Sequence, residues 1–198
     1  MTSVATTRRS RITPEREAEL YDAVLDLLRE VGYDALTMDA VAAATHSSKA
    51  TLYRQWGSKP QLVARALKHG KPGPSCAVAD TGSLRGDLLE TVVHAFDDSR
   101  IEQDAALMRG VGRAAHDNPE LLAALRELLI EPSIAELRVL LDRAVARGEI
   151  RPDNPALDLV PHMFLGALVS GELIDGRQVT QEFLVTYLDA VLMPALRA

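Results

Sequence analysis

Between Ser48 and Lys59 the chain sets hydroxyls, cations and one small residue at helical spacing, a combination suited to a polyanion. A helix opening at Ser48 would carry Lys49, Ala50, Thr51, Tyr53 and Arg54 on its exposed face, and Leu52 and Trp56, four residues apart, on an apolar stripe that anchors it. Lys49 can donate to guanine O6 and N7, and Ala50 is small enough to touch a thymine methyl. The hydroxyls of Thr51 and Tyr53 and the charge of Arg54 suit phosphate oxygens. A second short helix precedes this one: Thr37 can cap it through its hydroxyl, and it continues through the Ala/Val-rich Ala40 to Ala44. Two short helices joined by a tight turn would form a device for laying the second in a DNA groove. Ser58-Lys59-Pro60-Gln61 has the Ser-x-x-Gln capping-box spacing and predicts a third helix over 59–69. Lys59 at its N-terminus is either a phosphate ligand, joined there by open backbone N–H groups, or a plain surface lysine.

The run Gly32-Tyr33, Leu36-Thr37-Met38, Val41-Ala42, Ser48-Lys49-Ala50-Thr51-Leu52-Tyr53, Trp56, Ser58-Lys59 and Leu62 resembles the N-terminal domain of the TetR family of bacterial transcriptional repressors. Two positions depart from the family pattern. His46 stands where the turn is usually Gly, and Ser47 stands where an apolar residue usually precedes the cap. Histidine tolerates the left-handed backbone better than most non-glycine residues, so the turn is expected to survive. The resemblance implies an all-α protein of about nine helices: a helix-turn-helix DNA-binding domain at 1–70, then a helical regulatory and dimerisation domain at 71–198. It also implies control by a small molecule. The expected DNA-binding set is Thr37, Ser48, Lys49, Ala50, Thr51, Tyr53, Arg54 and Lys59.

The net charge of −6 argues against a nucleic-acid partner until it is divided along the chain. Residues 1–71 hold 11 Lys/Arg against 8 Asp/Glu, and residues 72–198 hold 11 against 20, so a basic end is joined to an acidic body. Within 37–71 Asp39 is the only anion. One cysteine, Cys76, cannot form an internal disulfide and signals no zinc site. No apolar run approaches the ~20 residues a membrane span needs, and no signal-peptide core is evident, so a cytoplasmic protein without membrane contact is expected.

In chain order, residues 1–12 read as a flexible tail. They are either a solvated terminus or an arm whose Arg8, Arg9 and Arg11 follow the minor groove or phosphates. Thr13-Pro14-Glu15 is a helix start with a hydroxyl cap and proline in the first turn, and Gly32 ends that helix. The Gly/Pro-rich stretch from Gly70 to Gly82 marks the domain boundary. Beyond it the periodicity predicts helices over 83–99, 102–116 and 119–147, the last kinked at Pro132. Two more follow at 155–173 and 180–193.

Those last two carry Leu159, Met163, Leu168 and Val169 on one, and Phe183, Leu184, Tyr187, Leu188 and Val191 on the other. In the family resemblance they pair with their copies in a second subunit; the same residues could instead be buried within one chain. Facing apolar stripes in the body predict a largely apolar effector cavity, with Phe96, Met108, His116, Leu125, Met163 and Phe164 as lining candidates. No nucleophile, acid/base pair, phosphate-cradling glycine loop or metal-ligand spacing is found, so no enzyme, cofactor or metal is expected. The partners expected are a palindromic double-stranded operator, a second copy of the chain and a small-molecule effector. The competing class is a helical protein whose basic end contacts proteins or membrane surfaces without reading DNA sequence.

Overall fold

The computed structural model describes residues 12–70, 80–95, 101–176 and 179–198. Arg8, Arg9, Arg11, Cys76 and Phe96 lie outside them. The described residues are all-helical, and the chain divides into two compact units, Met1–Lys71 and Pro72–Ala198.

In the first unit, α1 (Pro14–Ala35) starts where Thr13 Oγ1 accepts from the Arg16 N–H. Its regular course breaks at Gly32, whose φ of 74° is open to glycine and strained for other residues, and one further turn leads to Leu36. Then come α2 (Met38–Ala44), α3 (Lys49–Trp56) and α4 (Lys59–His69). Leu20, Val24 and Leu28 of α1 meet Leu62, Val63 and Ala66 of α4 in a core that also takes up Leu52 of α3, and each of these side chains is at most 2% exposed. Burying one such leucine stabilises the fold by roughly 1.5–3 kcal/mol, enough for short helices that would not persist alone.

The second unit runs through α5 (Leu84–Ala95), α6 (Ile101–Asp117), α7 (Pro119–Leu125), α8 (Glu131–Ala146), α9 (Val160–Asp175), α10 (Gln181–Tyr187) and α11 (Met193–Arg197). A turn of π-helix, Arg126–Ile130, joins α7 to α8, and another, Leu188–Leu192, joins α10 to α11. Each π turn ends two residues before a proline, Pro132 or Pro194. A proline ring clashes with the carbonyl four residues back and lacks the N–H to bond it, and the wider π turn accommodates both defects without ending the helix. The expected kink at Pro132 therefore takes the form of a π turn, and Pro194 has its own.

The core of this unit joins Leu84 and Leu88 of α5, Leu137, Leu140 and Leu141 of α8, and Leu188, Leu192 and Leu196 of the last segment. Ion pairs fasten its edges. Arg85 grips Asp189 at 2.7 Å, and the Asn154 amide donates to the carbonyls of Ala195 and Leu196 at 3.0 Å, closing the C-terminal turn.

Candidate nucleic-acid interface

The helix-turn-helix is built from local caps. Thr37 Oγ1 accepts from the Ala40 N–H at 3.1 Å and starts α2; Ser48 Oγ accepts from the Thr51 N–H at 3.1 Å and starts α3. Ser48 Oγ also lies 2.8 Å from Thr51 Oγ1. Between the helices His46 takes φ 47°, the one positive φ outside glycine among the described residues, as its place in the turn led us to expect. The turn closes with Ser47 N–H on the Ala42 carbonyl at 2.9 Å and Thr45 Oγ1 on the Val41 carbonyl at 2.8 Å. Arg16 of α1 adds a clamp from outside by donating to the Thr45 carbonyl. A cation there meets the negative end of α2.

On α3 the two faces separate cleanly. Leu52 is fully buried and Trp56 is 5% exposed, while Lys49, Ala50, Tyr53 and Arg54 stand out from the surface and Thr51 is half-buried. The Trp56 indole N–H donates to the Tyr21 phenol oxygen at 3.0 Å, and that phenol donates to Glu17 at 2.7 Å, so the buried polar atoms of this anchor are satisfied. Burial and the neighbouring Glu17 carboxylate push the Tyr21 pKa up to about 12. Gly57 closes α3 with φ 80° and its N–H on the Tyr53 carbonyl at 2.9 Å.

Two lysines behave differently from what their positions suggest. The Lys49 ammonium lies 2.8 Å from Asp39 Oδ2, and this hydrogen bond and charge raise its pKa above the ordinary lysine value. Lys59, expected as a phosphate ligand, turns inward. Its Nζ donates to the carbonyls of Tyr33 and Leu36, both at 2.9 Å, and lies 4.2 Å from the centre of the Tyr33 ring. Partial burial lowers its pKa. The open carbonyls where α1 ends outcompete solvent for this ammonium, so two of its three N–H donors hold the α1–α2 junction. Arg16, Asp39, Tyr21 and Glu17 support α3 and the turn before it, and the sequence did not point to these roles. Only Asp39 left a trace in the sequence, as the lone anion of its stretch.

In the second unit, a cleft of about 450 Å³ is lined by His162, Met163, Gly166, Ser170, Phe183 and Tyr187 of α9 and α10, together with Ala167 and Ile174. Of the expected effector-cavity set it takes Met163. Phe164 instead packs against the buried clusters, Leu125 is 7% exposed on α7, Met108 is half-buried, and His116 is exposed at the end of α6. The structure thus does not gather those residues around this cleft. The expected interface helices also divide. Leu184 and Leu188 are buried in their own chain, whereas Leu159, Leu165, Ile174 and Val191 are 51%, 55%, 76% and 38% exposed. Among the described residues no group of three or more His, Cys, Asp or Glu is arranged to hold a metal, and no helix is long and apolar enough to cross a membrane.

The family described as bacterial regulatory proteins, tetR family, matches residues 20–66, and that described as tetracyclin repressor-like, C-terminal domain, matches residues 78–191. An uncharacterized HTH-type transcriptional regulator of Mycobacterium tuberculosis is 36% identical over 184 residues, covering 91% of this chain and 88% of the relative. The DNA-binding transcriptional repressor TetR of Mycobacteroides abscessus is 32% identical over 187 residues, covering 92% and 94%. The crystal structure of a TetR family transcription regulator superposes with a TM-score of 0.70 at 29% identity, covering 91% of this chain and 98% of that one. Salmonella enterica GusR shares the fold with a TM-score of 0.72 at 19% identity, covering 96% and 100%. With an exposed polar helix on a capped helix-turn-helix, and matches along both units, the chain belongs to the TetR family and is a DNA-binding transcriptional regulator.

Proposed function

We propose that the protein represses transcription from a two-fold operator that it binds as a homodimer, and that a small molecule relieves the repression. The observation that carries the reading head is the division of α3, with Leu52 and Trp56 locked inside and Lys49, Ala50, Tyr53 and Arg54 facing out. Lys49 and Ala50 read base edges. The hydroxyls of Thr37, Ser48, Thr51 and Tyr53, with Arg54, hold phosphates; the caps use the oxygens of Thr37 and Ser48 as acceptors, which leaves the Thr37 O–H to donate, while Ser48 and Thr51 share one hydrogen bond and keep one O–H between them for a phosphate. Lys59 supports this surface from behind and is not in the phosphate set.

Exposed Leu159, Leu165, Ile174 and Val191 on and beside α9 and α10 support a second copy as partner, since a two-fold protein matches a two-fold half-site spacing. A small molecule that binds preferentially to the DNA-incompetent spacing of two reading heads would weaken operator binding by its differential affinity for the two states. Binding DNA, the protein acts in the cytoplasm. The test is selection of duplexes from a random pool. Recovery of a palindrome whose binding survives physiological salt supports the reading, and binding that is sequence-blind and collapses with salt refutes it.

A further inference from the structure

Asp39 is the only acidic residue between positions 37 and 71, a stretch with six Lys and Arg. It lies in the first turn of α2, 72% exposed, and its Oδ2 takes the Lys49 ammonium at 2.8 Å across ten residues of sequence. An acid in the first turn of a helix is favoured by the helix dipole wherever its side chain points. Here it points at the side chain of α3 best suited to guanine.

We propose that Asp39 is a specificity-determining residue of the reading head, acting by positioning Lys49. The proposal rests on α3 being the reading helix. A lysine is a compact charge on a flexible stem and, left to itself, pairs with whichever phosphate comes within reach. Phosphates occur in every duplex, so such contacts strengthen all sequences alike. Asp39 changes that balance in two ways. It engages one of the three ammonium donors and fixes the stem, leaving two donors for the O6 and N7 acceptors of a guanine. Its own negative charge also opposes phosphates that approach the same ammonium. Non-specific binding thereby loses a cation's contribution, and binding at the right base pair keeps it.

The experiment compares the full-length protein with Asp39→Asn and Asp39→Glu. The probes are a duplex selected by the unaltered protein from a random pool and a scrambled duplex of the same composition, each titrated between 50 and 200 mM salt. Melting followed by Trp56 fluorescence establishes that each variant is folded. Asp39→Asn should bind the scrambled duplex roughly three- to tenfold tighter, with a salt slope steeper by about one. Its preference for the selected duplex should fall by about tenfold, and a repeat selection should relax at one base pair. Asp39→Glu should restore most of the discrimination. If Asp39→Asn tightened both duplexes by the same factor, or left their ratio unchanged, Asp39 would be a plain surface charge and the proposal would fall. If the unaltered protein selected no sequence, the reading head itself would fail, which is a different result from a selective protein indifferent to Asp39.

Discussion

Trp56 and Tyr21, 35 residues apart, meet through a hydrogen bond from the indole N–H to the phenol oxygen at 3.0 Å, with the rings nearly edge to face at 70°. This contact sets the rotation of α3 on α1. A rotation of α3 about its axis large enough to break it would also turn the exposed Lys49 and Ala50 in another direction. The direction in which α3 presents its exposed side chains thus depends on a buried pair, and the single tryptophan of the chain reports on it.

Tyr21→Phe should destabilise the N-terminal unit by about 1–3 kcal/mol, because it leaves the Trp56 N–H without its buried acceptor. Denaturant unfolding followed by Trp56 fluorescence measures this. Lowered operator affinity is expected alongside it, with sequence preference unchanged.

The same phenol makes this unit sensitive to alkali. Its folded pKa, about 12, lies above the ordinary tyrosine value of 10, so folding favours the protonated form. That stability is fully present below pH 10 and is lost as the pH rises from 10 towards 12. Urea midpoints taken across that window should fall in the unaltered protein and fall less in Tyr21→Phe. Parallel slopes would mean that the phenol is not responsible.

Asp87 predicts the opposite dependence in the second unit. Burial alone would raise its pKa, but the Thr81 N–H at 2.6 Å, the Thr81 hydroxyl at 2.8 Å and Arg147 at 3.0 Å outweigh burial and hold it below the ordinary value. Folding therefore favours the carboxylate. This stability is present above about pH 4 and is lost on further acidification. Asp87→Asn should cost on the order of 2 kcal/mol near neutral pH and flatten the acid limb of a circular-dichroism melt series.

Lys49→Ala and Lys59→Ala should separate reading from support. Lys49→Ala should cost on the order of 1–3 kcal/mol on the preferred operator and relax one base pair in a selection. Lys59→Ala frees the carbonyls of Tyr33 and Leu36, so its main effect should be a lower melting temperature of the N-terminal unit, with preference intact. A Lys59→Ala protein of unchanged stability but altered preference would contradict this assignment.

For assembly, a charge must be placed where the chain is exposed. Leu188→Asp buries a carboxylate in a site with no exposure and should unfold the body, whereas Leu165→Asp, at a side chain 55% exposed, should leave the fold intact and give monomers. Light scattering combined with circular dichroism distinguishes the two. An unaltered chain that is monomeric at micromolar concentration would remove the basis for a dimeric operator complex.

Much of the fold was legible along the chain because its signals are local. The caps at Thr13, Thr37, Ser48, Ser58 and Asn118 each bond an N–H three residues on, so the sequence alone placed those helix starts. The left-handed turn at His46 and the apolar stripe of Leu52 and Trp56 are local in the same sense, and together they brought the helix-turn-helix into view. The destinations of long side chains were not legible, because a lysine stem reaches partners far off in sequence. Only the tertiary structure sent Lys59 to the carbonyls of Tyr33 and Leu36 and paired Lys49 with Asp39. The same holds for the C-terminal helices. Periodicity reveals that a face is apolar, but whether its own chain covers it, as at Leu188, or leaves it exposed, as at Val191, depends on where the other helices pack.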